Sequence, residues 1–128
     1  MDVESWIESY ARAWETANED LAASLFTEDA SYLSSPFREP FRGHDEIRRY
    51  WRRGAGSQHE TRVLMGRPVV DGRRVAVEWW TTMIEAGGEV TLPGCLLLHL
   101  EPDGRCSDLR EYWHVEPGRR EPFSGWGN

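Results

Sequence analysis

Apolar residues at Val3, Ile7, Tyr10, Ala11 and Trp14 recur at three- and four-residue spacing, which predicts a helix over 3–16 with one buried face. Asp2 stands where an N-cap would accept the free amide hydrogens of the first turn. A second, shorter helix is expected over 18–26, capped by Asn18, with Leu21, Ala22, Leu25 and Phe26 on its buried side. Thr27-Glu28-Asp29 reads as a turn and 30–33 as a short strand. Pro36 and Pro40 make 34–41 a loop. Gly43-His44-Asp45 then opens a third helix, with Ile47, Tyr50 and Trp51 on its apolar face and Gly54-Ala55-Gly56 at its end.

The pattern changes after residue 58. Strands are expected over 59–70, 74–85, 89–101 and 105–115. Asp71-Gly72, Gly87-Gly88 and Pro102-Asp103-Gly104 separate them, which is the signature of an antiparallel meander. Helices followed by such strands define an α+β fold, in which N-terminal helices pack on one face of the sheet. If the sheet curves strongly, an internal cavity remains between the layers. The tail over 117–128 carries two prolines and three glycines and is expected to be extended. Phe123 and Trp126 give it a reason to pack back onto the body.

Length and composition sharpen this picture. A chain of 128 residues suits one domain spanning 1–128, large enough to bury a core without disulfides or metals. The net charge of −7 argues against nucleic acid as a partner, because phosphate binding needs a basic field. All 15 basic residues are arginine, scattered along the chain, and they read as solvated faces. No apolar run approaches the roughly 18 residues of a membrane span. Cys95 and Cys106 fall on adjacent expected strands, so a bridge between them stays open. Reduced thiols in a cytoplasmic protein are the expectation, since no charged leader opens the chain. His44, His59, His99 and His114 show no metal-ligand spacing, so neither metal nor cofactor is expected. Seven tryptophans point to an aromatic-lined core or cavity.

The segment LAASLFTEDASYLSSPFREPFRGHDEIRRYW (21–51) resembles the SnoaL-like and ketosteroid-isomerase-like branches of the nuclear transport factor 2-like superfamily. EPDGRCSDLREYWHVEP (101–117) is similar to that family's final turn and strand. The resemblance implies a cone-shaped domain with a hydrophobic pocket that binds a small apolar or aromatic ligand. It also implies a homodimer formed through the outer sheet face. Laying the family's last strand on this one turns Leu109, Glu111 and Trp113 inward. The neighbouring strands then turn Val77, Trp79 and Leu96 inward, while Tyr10, Trp14, Tyr50 and Trp51 close the cone. Glu78 becomes the inward carboxylate if the faces are inverted.

The same alignment tests inherited chemistry. Ketosteroid isomerisation needs a carboxylate base and an acidic donor pair at the oxyanion. Tyr10 matches one donor, but Ser35 and Leu96 occupy the positions of the two acids, so that activity is rejected. An epoxide-hydrolase Asp-Arg-Asp set is not recognisable either, because Asp108 and Arg110 face outward. Glu111 remains as the candidate acid/base, with Tyr10 as hydrogen-bond donor. A carboxyl among tryptophans would be desolvated and its pKa raised. Trp14, Tyr50, Trp51, Val77, Trp79, Leu96, Leu109 and Trp113 are the expected ligand walls. The expected function is proton transfer or hydration/dehydration on an apolar cyclic substrate, with non-catalytic ligand binding or protein interaction as the alternatives.

Overall fold

A computed structural model describes residues 2–128; Met1 lies outside the described residues. Helix α1 spans Val3–Glu15 and α2 spans Glu19–Ser24, and both are capped as the sequence suggests. Asp2 accepts from the Ser5 amide at 2.8 Å, and Asn18 accepts from the Leu21 amide at 3.0 Å. Helix α2 stops two residues earlier than its apolar pattern predicts. Phe26 already pairs with Cys106, and the Cys106 amide donates to the Leu25 carbonyl at 2.8 Å. Tertiary pairing therefore ends the helix before its periodicity does.

Strand β1 (Phe26–Leu33) absorbs the expected turn as an irregularity between Phe26 and Ser31. After β2 (Phe41–Arg42) comes α3 (Gly43–Gly54). Gly43 has φ +77°, a left-handed geometry that favours glycine at this start. The His44 Nε2–H is placed to donate to the Phe26 carbonyl at 2.9 Å, which ties the helix start to β1.

The remaining strands are β3 (Gln58–Met65), β4 (Val69–Asp71), β5 (Arg74–Glu85), β6 (Gly88–Leu100), β7 (Cys106–Trp113) and β8 (Glu116–Pro117). The one long strand expected over 59–70 is broken at Gly66-Arg67-Pro68, where proline has no amide hydrogen for a ladder. The main path of the sheet runs β2-β1-β7-β6-β5-β3. β5 to β7 form the expected antiparallel meander, but β1 joins β7 in parallel. The sheet is therefore mixed rather than wholly antiparallel. It curls into an open cone with the helices against its concave face.

The core lies between these layers. Trp6, Ile7, Tyr10, Leu25, Phe26, Ile47, Val77, Trp79, Leu96 and Leu109 are buried there. The tail crosses the opposite, convex face. The Trp80 indole N–H donates to the Arg120 carbonyl at 2.9 Å, and the rings of Phe123 and Trp126 meet the Trp80 ring edge-on. The Gly127 amide donates to Glu78 Oε1 at 3.2 Å, which places Glu78 on the outer face. Cys95 and Cys106 are both free. Cys95 sits opposite Tyr112 and Cys106 opposite Leu100, far along the same ladder. That spacing exceeds the roughly 7 Å between Cα atoms that a disulfide can bridge. Among the described residues no helix is long and apolar enough to cross a membrane.

Candidate functional site: a tyrosine-bound carboxyl in an aromatic pocket

Strand alternation turns Glu111 inward from the middle of β7, opposite Leu96 on β6. The helices cover this position and leave the residue 6% exposed. A buried carboxyl needs partners, and two elements supply them. Tyr10 Oη on α1 donates to Glu111 Oε1 at 2.8 Å, and Tyr32 Oη on β1 donates to the same oxygen at 2.7 Å. No hydrogen bond from the described residues reaches Oε2. Tyr10 is itself held by the Trp6 ring, stacked at 5.4 Å, and the Trp6 indole N–H is fixed on the Leu25 carbonyl at 2.9 Å.

Burial raises the Glu111 pKa from 4.5 to about 7, against the opposing pull of the Tyr32 and Tyr10 hydrogen bonds. Burial, followed by the nearby Glu111 charge, pushes the Tyr10 and Tyr32 phenols well above their ordinary value. Tyr50 is raised by the same two causes in the same order. These three phenols therefore stay protonated as donors. Glu111 is populated in both forms near neutrality, so it can give or take a proton there.

Above the carboxyl lies a small pocket lined by Tyr10, Trp14, Tyr32, Tyr50, Trp51 and Glu111, with Gly54, Ala55 and Gln58 completing the wall. The turn after α3 thus forms one side of it. Trp14 is held in place by its indole N–H, which donates to Gln58 Oε1 at 2.7 Å, and by the Trp79 ring at 4.9 Å. The space open to water-sized molecules is about 50 Å³. A water needs roughly 10–15 Å³ of such space, so the pocket suits a compact ligand.

The structure gathers five of the expected site residues around this space: Glu111, Tyr10, Trp14, Tyr50 and Trp51. Val77, Trp79, Leu96 and Leu109 do face inward, but they belong to the packed core and not to the pocket wall. The Trp79 ring lies across Gly94, where an added Cβ would come within 2.4 Å of its Cζ2. Indole there fills space that a wider cone would leave open, and this narrows the room expected for a sizeable apolar ligand. Trp113 is 42% exposed, and its indole N–H donates to the Ser34 carbonyl at 2.8 Å, outside the pocket. Sequence reasoning passed over Tyr32. The alternation of buried Ala30 and Tyr32 along β1 is the signal that could have found it.

Inherited catalytic sets can now be checked in space. Asp108 and Arg110 form a half-exposed ion pair at 3.4 Å, away from the pocket. Leu96 is wholly buried in the core. The described lining residues include one carboxyl and no Arg, Lys or His.

A curled sheet with helices packed in its concave face defines an α+β cone of the nuclear transport factor 2-like kind. The sequence model of the SnoaL-like domain matches residues 7–109, and the chain belongs to that family. No curated protein matches the sequence. Among the solved structures that share the fold at low identity are the following three. SalBIII, an epoxide hydrolase/cyclase-like enzyme of pyran ring formation in the polyether salinomycin, superposes with a TM-score of 0.79 at 19% identity, over 90% of this chain and 95% of its own. A ketosteroid isomerase-like protein from Catenulispora acidiphila, in complex with trimethylamine, gives 0.75 at 18%, over 84% and 83%. An LEH-like epoxide hydrolase of M. tuberculosis gives 0.71 at 23%, over 86% and 80%.

Proposed function

We propose that the chain is a small-molecule-binding SnoaL-like protein that transfers a proton to or from a compact, mostly apolar ligand through Glu111. The observation that carries this reading is the Glu111 carboxyl. It is buried beside the pocket and held on one oxygen by two tyrosines, and no hydrogen bond from the described residues reaches its second oxygen. Tyr10 and Tyr32 orient the carboxyl and stabilise its ionised form. Tyr10 is thus a positioning group rather than a donor to substrate. A compact substrate, a single small ring or smaller, fits the small space best. Proton abstraction beside a carbonyl, or loss or addition of water, are reactions that one such carboxyl can serve. The neighbour solved with trimethylamine, and those described as epoxide hydrolase or cyclase-like, support a small-ligand role for a protein of this fold.

The test is hydrogen–deuterium exchange at the α-carbon of cyclopentanone in D2O, followed by proton NMR. Exchange above the buffer rate with the wild type, lost in Glu111→Gln, is the expected result. Equal rates for the two proteins, at or above the buffer rate, would sink the catalytic role.

Ligand binding without turnover is the second reading. It is favoured by the absence of a second carboxyl, or of any His, Lys or Arg, among the described lining residues. Binding that quenches tryptophan fluorescence, with no exchange, selects it. A second copy of the chain is proposed to dock on the part of the outer face that the tail leaves open, where Leu97, Arg110 and Tyr112 stand.

A further inference from the structure

The pocket wall has an unusual balance. Tyr10, Trp14, Tyr32, Tyr50 and Trp51 present aromatic rings, while the charged lining residue is a carboxyl. The Tyr10 ring meets the Trp14 ring at 79° and the Trp51 ring at 87°, with centroids 6.2 and 5.5 Å apart. Walls turned at right angles to one another enclose a space rather than stack into a slab. Aromatic faces carry negative electrostatic potential and attract cations, most strongly where water is excluded. The carboxyl adds a formal negative charge to the same space, and no hydrogen bond from the described residues reaches Oε2.

We propose that this pocket is a receptor for a compact organic ammonium ion, its methyl groups against the aromatic rings and its charge facing Glu111 Oε2. The inference rests on the reading of the pocket as a small-molecule site and names the ligand's class. Two arguments favour a cation over a neutral or anionic ligand, and the size of the space then favours a compact one. A buried carboxylate is costly without a counter-charge, and an ammonium ion supplies one. The described lining residues offer no positive side chain to receive an anion; Arg38, which acts on the Tyr50 phenol electrostatically, is exposed and outside the lining. The space of about 50 Å³, several times what one water needs by the same measure, favours a compact methylammonium group over a bulky ring. No covalent step is needed; a protonated tertiary amine and a quaternary ammonium share the same recognition.

Binding of the cation also selects the ionised carboxyl. The groups facing Glu111 are the phenols of Tyr10 on α1, Tyr32 on β1 and Tyr50 on α3, and all three stay protonated through neutrality. Cation affinity is therefore expected to rise with pH as Glu111 loses its proton.

Titrations of the full chain with tetramethylammonium chloride, tert-butanol and sodium pivalate, read by tryptophan fluorescence and calorimetry against matched sodium chloride, test this. At pH 8 the cation is expected to bind at least about tenfold tighter than the alcohol. Glu111→Gln should weaken the cation about tenfold and the alcohol much less. Trp14→Leu, on the partly exposed wall, should weaken the cation more than the alcohol. Cation affinity should fall between pH 8 and pH 6. If the alcohol binds as well as the cation, or Glu111→Gln leaves cation affinity intact, the ammonium assignment is wrong and the small-molecule reading survives. If none of the three probes binds, both are wrong.

Discussion

Tyr32 donates to Glu111 Oε1 at 2.7 Å and so joins β1 to the middle of β7, two strands that also pair in parallel. The bond holds the ionised carboxyl and pulls its pKa down against burial. Tyr32→Phe removes that pull and leaves Tyr10 as the remaining donor. The Glu111 titration midpoint should therefore move upward from its wild-type value. A midpoint that stays put or falls would show that Tyr32 does not stabilise the charged form.

The raised pKa of Glu111 has a consequence for stability. A carboxyl whose pKa is higher folded than unfolded stabilises the fold fully below about pH 4.5, and that contribution is lost as pH rises through about 7. The loss amounts to about 3 kcal/mol between those limits. Glu111→Gln cannot ionise and escapes it. Relative to the wild type, the variant should gain about 3 kcal/mol as pH goes from 4 to 8, measured by urea denaturation at each pH. A difference that is flat with pH would contradict the buried, titrating carboxyl.

Much of this arrangement is legible in the sequence. The apolar spacing of α1, the caps at Asp2 and Asn18, and the meander of β5 to β7 all follow from local rules, whereas the inward turn of Glu111 followed from the family resemblance of the last strand. The parallel pairing of β1 with β7 has no local signal, because it depends on where α1 and α2 return the chain. Tyr32 was hidden for the same reason. Its partner lies 79 positions away, and the irregularity between Phe26 and Ser31 leaves the short alternation of Ala30 and Tyr32 as its one local signal. Trp113 shows the converse error. Its parity is that of Glu111, but at the strand's end it reaches Ser34 instead of the pocket.

Gly94 sets the width of the cone. A methyl group there would lie 2.4 Å from Trp79 Cζ2, inside a wholly buried ring. Gly94→Ala should cost about 1–3 kcal/mol through overpacking. It should also displace Trp79 and, through it, Trp14, changing the tryptophan emission. Wild-type stability in this variant would mean that the indole has room to move.

The tail should act as a clasp on the outer face. Removing residues 119–128 takes away the Arg120 carbonyl that accepts from Trp80, and the rings of Phe123 and Trp126. The truncated chain is expected to lose on the order of 2 kcal/mol and to show red-shifted tryptophan emission as Trp80 meets water. Unchanged stability would place the tail's contribution near zero.

The central claim concerns one group, and its protonation can be observed directly. Carbon-13 NMR of glutamate side-chain carboxyls, with Glu111 identified by loss of its signal in Glu111→Gln, gives the midpoint in the folded protein. The account predicts about 7. A midpoint near the 4.5 of an ordinary glutamate would contradict it.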